Sequence, residues 1–369
     1  MKEKNRIIII VIMIVCFLLG SFGTYYLISK KGLFNQTIIN KSEKEVTVNE
    51  NGIADAVEKL YDAVVVVQNY QKNTLVSSGT GFVYKTDGDK AYILTNAHVV
   101  SGASQVKLIF TNNKTYDAEI VGSDTYSDIA VLSVNKDNII KVAEMGSYED
   151  ARLGDTLFAI GAPLDTEYSW TVTRGILSGK DRLVEISQNS SASVDKWVMK
   201  VMQTDAAINS GNSGGPIANS NGEVIGITNM KLVSSGVEGM GFAIPIEDAT
   251  SKAEQIIKGE SIEYPYIGVS MYDVNKYYNS YQYGALIQSS GVASGVIVNS
   301  VEKGSPAAKG KMEANDIITK IEGKEVKNIA YLRYYLYQYK VGDTIKVTVI
   351  TDGKTKELNV TLASSKQTT

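Results

Sequence analysis

The chain has 369 residues, a net charge of −3 at pH 7, one cysteine and one histidine. That length exceeds one ordinary domain and points to two, with a small addition. Lys and Arg (37) nearly balance Asp and Glu (40) with no basic stripe, so no nucleic-acid partner is expected, and a lone Cys16 excludes an intrachain disulfide framework or a cysteine metal centre. No metal and no cofactor is expected.

In chain order, a short basic start (Lys2, Lys4, Arg6) precedes Ile7 to Ile28, a run without a charge. At ~1.5 Å per residue a helix of this length crosses a hydrocarbon core of ~30 Å. The reading is an uncleaved membrane anchor over 1–28; a cleaved signal peptide is the rival, but no small-x-small site follows the run. Lys30 and Lys31 flank the far end almost as strongly as the N-terminal tail flanks the near end, so orientation rests on a narrow charge difference. Residues 29–50 are largely polar and read as a flexible tether.

Ile53 to Leu60 has a helical apolar face, and Ala63 to Val67 reads as a buried strand. Short strands then recur between turn signals. They run through Gly79 to Tyr84, Ala91 to Thr95, Val106 to Phe110, Ala118 to Val121, Asp128 to Leu132, Thr156 to Gly161, Val198 to Thr204, Val224 to Ile227 and Gly241 to Ile244. Abundant glycine (32), scarce proline (5) and many β-branched residues fit a mainly β fold of barrels or sandwiches. Glu247 to Lys258 reads as an amphipathic helix closing a first domain at 51–260. A second domain, 261–365, carries five strands, Tyr266 to Met271, Gly295 to Val301, Asp316 to Ile321, Thr344 to Ile350 and Lys356 to Leu362, and a helix from Asn328 to Lys340. The tyrosines of that helix read as an exposed or groove-lining face, and the tail after Ala363 as disordered.

Three stretches carry chemistry. In Asn209-Ser210-Gly211-Asn212-Ser213-Gly214-Gly215-Pro216, glycines let a loop expose a serine hydroxyl while turning N–H groups toward one point. His98 ends a strand in Thr95-Asn96-Ala97-His98-Val99-Val100. Asp128 heads the apolar strand Ile129 to Leu132, where a carboxylate needs a partner; Asp124, in a polar stretch, is the rival and reads more simply as a turn residue. An imidazole fixed by a carboxylate can take the proton of a serine nucleophile. The order His, Asp, Ser in a strand-rich domain is that of chymotrypsin-like barrels.

These three motifs resemble the catalytic motifs of the HtrA (Deg) serine proteases. Leu153-Gly154-Asp155, Gly161-Ala162-Pro163, Thr173-Arg174-Gly175-Ile176-Leu177-Ser178 and Gly241-Phe242-Ala243-Ile244-Pro245 resemble the intervening signatures of that family. The resemblance implies a chymotrypsin-like double β-barrel followed by a PDZ domain. It implies Ser213 as nucleophile, His98 as base then acid, Asp128 as orienting carboxylate, and an oxyanion hole from Gly211, Asn212 and Ser213. Asn212 stands where trypsin-like enzymes carry an Asp that binds a newly cut N-terminus, so no activating cut is expected. Ala207 stands where those enzymes place an Asp for basic side chains, which implies small or medium apolar residues at the cut. Thr228, Asn229 and Met230 are expected to pair with the substrate backbone, and 183–197 and 232–238 to be regulatory loops.

Tyr266-Ile267-Gly268-Val269 and Gly304-Ser305-Pro306-Ala307-Ala308 resemble PDZ signatures, with Ile267, Gly268 and Val269 holding the C-terminal carboxylate of a peptide that adds a strand. Asn315 and Thr351 depart from the usual Gly and Arg of that pattern. The implied protein is a membrane-tethered, ATP-independent endopeptidase for unfolded or damaged exported proteins. Its catalytic and PDZ domains lie outside the cytoplasm and it assembles as a homotrimer in envelope quality control and stress response. The alternatives are a non-catalytic PDZ adapter or holdase, and a signalling protease with one dedicated substrate.

Overall fold

The computed structural model describes residues 2–30, 52–162, 170–187, 196–229 and 239–365. Two units are distinguished, 1–48 and 49–369. The first carries helix α1 (Lys2–Lys30). Its described large apolar side chains, among them Ile12, Phe17, Leu19 and Phe22, are exposed. Among the described residues no helix is long and apolar enough to cross a membrane; within α1 the described side chains are those of residues 11–23, 25 and 26.

The second unit opens with α2 (Gly52–Tyr61), whose Ala56 and Leu60 are buried. Six strands follow: β1 (Val64–Gln71), β2 (Thr74–Asp87), β3 (Lys90–Thr95), β4 (Gln105–Ile109), β5 (Thr115–Asp124) and β6 (Ile129–Asn135). They close into an antiparallel barrel in the order β1-β2-β3-β6-β5-β4. A second barrel is built from β7 (Thr156–Gly161), β8 (Thr171–Ser187), β9 (Lys196–Thr204), β10 (Pro216–Asn219), β11 (Val224–Thr228) and β12 (Gly241–Pro245), ordered β10-β11-β12-β9-β8-β7.

Strand periodicity explains why the barrels pack on one another. Along β7, Leu157 and Ala159 fill the second barrel, while Phe158 and Ile160 point the other way into a core shared with Phe82, Leu94 and Ile129 of the first. Likewise Val65 and Val67 of β1 fill the first barrel and Val64 joins the shared core. Successive residues of a strand face opposite sides, so an uninterrupted apolar run serves two cores at once. Each fully buried side chain of this size contributes about 1.5–3 kcal/mol. Helix α3 (Ile246–Ile257) seals the shared core with Ile246, Ala249, Ala253 and Ile256.

The second domain has β13 (Pro265–Tyr266), β14 (Val269–Asp273), α4 (Val274–Tyr277), α5 (Gly284–Ser290), β15 (Val296–Val301), α6 (Pro306–Lys309), β16 (Ile317–Ile321), β17 (Lys324–Glu325), α7 (Ile329–Leu336), β18 (Thr344–Thr351), β19 (Lys354–Thr361) and β20 (Ala363–Ser364). Its sheet runs β14-β15-β16-β18-β19, which makes β14 an edge strand. Alternation again builds two cores: Val296, Val298 and Ile318 face one side with Leu332 and Leu336, and Ile297 and Ile317 face Val274, Tyr283 and Ile287 on the other.

Four expectations change. The strand expected from Tyr266 to Met271 is broken at Gly268, whose φ of +80° ends β13 and lets β14 start in a new direction. The tail does not become irregular at Ala363, because β20 pairs with β13 and Ser365 N–H binds Tyr264 O at 3.1 Å; 366–369 lie outside the described residues. The ends of the expected 183–197 loop are strand, since β8 extends to Ser187 and β9 begins at Lys196 with Glu185 opposite Val198. Positions 188–195 and 232–238 lie outside the described residues. Finally, α7 is shorter than expected, starting after the N-cap Asn328 and ending at Leu336; Tyr334 within it and Tyr337 just after it line a groove together with Lys200 of β9 and Lys252 of α3, in line with the groove-lining face expected of its tyrosines.

Candidate active site

His98 is held by the end of β3. After Asn96 the chain makes a short 3-10 turn, Ala97–Val99, which buries Ala97 and Val99 and leaves His98 partly open. Asp128 is set by the preceding turn, in which Asp124 Oδ2 accepts the Ser127 N–H at 2.9 Å. Asp128 itself has φ +54°, a left-handed conformation that costs a β-carbon residue about 1–2 kcal/mol. Its carbonyl accepts Ala97 N–H at 3.1 Å and Asn96 Nδ2–H at 3.0 Å, which offsets that strain and ties the His98 turn to the Asp128 backbone.

The Asp128 carboxylate is 2 % exposed and has three donors. Oδ1 accepts His98 N–H at 2.9 Å. Oδ2 pairs with His98 Nδ1 at 2.7 Å and accepts Asn229 Nδ2–H at 2.8 Å. With Nδ1 committed to a carboxylate as donor, Nε2 is the nitrogen left to accept a proton. Asp124, the rival carboxylate, is engaged elsewhere: it accepts Ser127 and the Tyr264 hydroxyl, the latter at 2.6 Å.

The serine comes from the other barrel. Ser213 lies just before β10 and is joined to the first barrel through its carbonyl, which accepts Thr80 N–H at 2.9 Å. The next residue, Gly214, has φ +83° and passes so close to Thr80 O, Thr95 Oγ1 and Asn96 N that no side chain fits. This close approach brings the serine loop to the strand end that carries His98. Gly214 N–H binds Thr228 O at 2.9 Å, one residue before Asn229, so the same loop also abuts the residue that contacts Asp128.

The backbone ahead of the serine forms a tight turn: Asn212 N–H binds Asn209 O at 3.0 Å, and Gly211 has φ +98°. Positive φ at the third position is the mark of a type II turn. The Asn212 N–H is therefore spent inside the turn, whereas no hydrogen bond from Gly211 N–H is found among the described residues. The Gly211 carbonyl is held by Thr80 Oγ1 at 2.6 Å and the Asn212 carbonyl by Thr228 Oγ1.

Of the residues expected to pair with substrate, Thr228 and Asn229 face inward. Both are fully buried; their N–H groups go to Gly215 O (2.9 Å) and Phe242 O (3.0 Å), and their side chains brace the serine loop and Asp128. Met230 lies outside the described residues. Ala207 is exposed, and its carbonyl accepts Thr173 Oγ1–H at 3.0 Å and Asn212 Nδ2–H at 3.3 Å. Sequence reasoning missed Thr80, which links Gly211 O to Ala162 N–H (3.0 Å); its place between Gly79 and Gly81, where the chain must pass close to other backbone, was the available signal.

In the second domain, Ile267 O accepts Ala307 N–H at 2.8 Å and Gly268 O accepts Glu302 N–H at 3.0 Å, so the carbonyls of this loop turn toward the body of the domain. A side chain at Gly268 would overlap Ser305.

A trypsin-like peptidase domain model matches residues 79–227, and a PDZ domain model matches 265–362. The chain is 41% identical over 336 residues to Serine protease Do-like HtrB of Bacillus subtilis (strain 168), covering 87% of this chain and 72% of that protein. The chain belongs to the HtrA family of serine proteases. It is also 34% identical over 359 residues to Serine protease Do-like HtrA of Lactococcus lactis subsp. cremoris (strain MG1363), covering 90% of this chain and 87% of that protein. Among solved structures it is similar to a serine endoprotease from Yersinia pestis (TM-score 0.62, 29% identity, 87% of this chain and 100% of that one). The HtrA-type protease AlgW with decapeptide is similar to the same degree (TM-score 0.63, 27% identity, 85% and 98%). Membership makes this HtrA chain a serine protease with one PDZ domain.

Proposed function

We propose that Ser213, His98 and Asp128 are the catalytic residues of a serine endopeptidase acting on unfolded or damaged exported proteins. The observation that carries the assignment is the lone histidine held by a buried carboxylate, His98 Nδ1 to Asp128 Oδ2 at 2.7 Å, at the seam where the Ser213 loop meets the first barrel. In the reaction, Ser213 Oγ attacks the scissile carbonyl carbon and its proton passes to His98 Nε2. The C–N bond breaks as the imidazolium returns that proton to the leaving nitrogen. Water, deprotonated by His98 Nε2, then attacks the acyl carbon; the Ser213 Oγ–C bond breaks and the imidazolium returns its proton to Oγ, freeing the acid. The oxyanion is bound by the N–H groups of Gly211 and Ser213; Asn212, whose N–H closes the turn, drops out of the expected set.

The exposed Ala207 wall supports a preference for small or medium apolar residues at the cut. The edge strand β14 and the Ile267–Val269 loop support capture of C-terminal peptides by strand addition, in line with the peptide-bound HtrA-type relatives. The uncharged run from Ile7 to Ile28 and the exposed apolar side chains of α1 support a single-pass anchor. Protease and PDZ domains over 51–260 and 261–365, their extracytoplasmic side and a trimeric assembly are proposed from the family resemblance alone.

The test is digestion of unfolded casein against a tightly folded protein of similar size by the full chain and by Ser213→Ala. Casein cut at many sites by the wild type alone supports the reading. Casein left intact, with both variants alike, overturns it.

A further inference from the structure

Asn212 lies immediately before the nucleophile and is 2 % exposed. Its side chain reaches back five residues, Nδ2–H to Ala207 O at 3.3 Å, while Oδ1 has no partner among the described residues and lies against the backbone of Gly161, where a β-carbon would overlap it. Its backbone is held at both ends, N–H to Asn209 O (3.0 Å) and carbonyl to Gly215 N–H (2.9 Å) and Thr228 Oγ1. The amide therefore closes a ring, from Ala207 to Asn212, around the turn whose third residue is Gly211.

That turn has a competing form. A type II turn becomes type I by rotating its central peptide, here Ser210–Gly211, by about half a revolution. The rotation moves the Ser210 carbonyl to where the Gly211 N–H had been, which puts a lone pair in place of a donor. We propose that Asn212 is a positioning residue. Its neutral amide, by donating to the Ala207 carbonyl, holds the Ser210–Gly211 peptide in the orientation that presents Gly211 N–H to the oxyanion, and it couples that orientation to the wall at Ala207. The inference rests on the catalytic reading of Ser213.

The chemistry demands a donor, not merely a side chain of this size. An ionised carboxylate at 212 has nothing to donate to Ala207 O and is a buried charge without a counter-ion; a protonated one can donate through its O–H. The Asn212→Asp enzyme should therefore regain function relative to the wild type as pH falls, reversing its loss. A residue that only filled space would not produce that reversal.

The experiment is the second-order rate of labelling by a fluorophosphonate, measured on the full chain, Asn212→Asp, Asn212→Ala and Ser213→Ala from pH 5.5 to 8.5, with thermal midpoints alongside. Loss of one oxyanion donor lowers rates by ~10²–10³. Asn212→Asp should be slower by about that factor at pH 8, with the deficit relative to wild type shrinking at least tenfold by pH 5.5, while Asn212→Ala stays slow throughout. Wild-type labelling with a pH-independent Asn212→Asp deficit that follows thermal stability overturns this proposal alone, as does wild-type speed at pH 8. No labelling of the wild type overturns the nucleophile assignment and this inference with it.

Discussion

The Tyr264 hydroxyl donates to Asp124 Oδ2 at 2.6 Å, and this bond joins the segment leading into the PDZ domain to the turn that sets Asp128. Tyr264 also packs on Tyr126 and Tyr337, with ring centroids 4.8 and 4.4 Å away, so three parts of the chain meet at one aromatic cluster. Burial first, and then the adjacent Asp124 carboxylate, raises the Tyr264 pKa well above the ordinary tyrosine value of 10.0.

Tyr264→Phe keeps the ring and removes the donor. Asp124, 5 % exposed, would retain only Ser127. A buried acceptor losing a partner costs about 1–3 kcal/mol, which chemical denaturation of the full chain should register. The sign with pH is fixed: the raised value means the fold favours the protonated phenol. Its contribution is whole below the unfolded value near 10 and fades as pH climbs toward the folded one. Between pH 9 and 11 the wild type should lose stability more steeply than Tyr264→Phe.

Asn229→Ala tests the third donor on the Asp128 carboxylate. A hydrogen bond to a charged group is worth about 1.5–3 kcal/mol, or roughly 10–150-fold in rate if it acts in the transition state. Turnover of a quenched peptide should fall within that range with KM little changed, because Asn229 faces Asp128 and not the cleft. A rise in KM at constant kcat would return Asn229 to the substrate-pairing role expected from the sequence.

Glu254 joins α3 to the first barrel, accepting Lys85 Nζ at 2.7 Å and Tyr84 OH at 2.8 Å. The Lys85 hydrogen bond, against some desolvation, lowers its pKa below the ordinary 4.5. A lowered carboxylate contributes stability that is complete above the unfolded value and disappears as pH falls through the folded one. Glu254→Gln should therefore narrow its deficit to the wild type between pH 5 and pH 3, read from thermal midpoints.

Much of this was legible in the residues. The apolar runs at Ala63 to Val67 and Thr156 to Gly161 were readable as strands, since β-branching and length suffice there. That such runs serve two cores could not be read, because alternation is invisible when both faces are apolar. Asp128 could be preferred over Asp124 from the apolar strand it heads. What Asp124 does instead was hidden, because its partner Tyr264 is 140 residues away. The side-chain role of Asn229 was hidden for a similar reason: a strand position foretells a backbone role, while its side chain is claimed by a carboxylate 101 residues earlier. The helices α4 and α5 were obscured by a tyrosine-rich stretch of weak periodicity, whose Tyr272, Tyr277 and Tyr283 cluster only once α4 and the start of α5 fold back against β14.

The proposed catalysis requires that Ser213 be made nucleophilic by the imidazole that Asp128 holds. Mass spectrometry of the fluorophosphonate-treated full chain tests this most directly. One adduct per chain is predicted, on the peptide containing Ser213, absent from Ser213→Ala and formed at least ~10⁴-fold more slowly in His98→Ala. An adduct on any other residue, or equal labelling of His98→Ala, would contradict it.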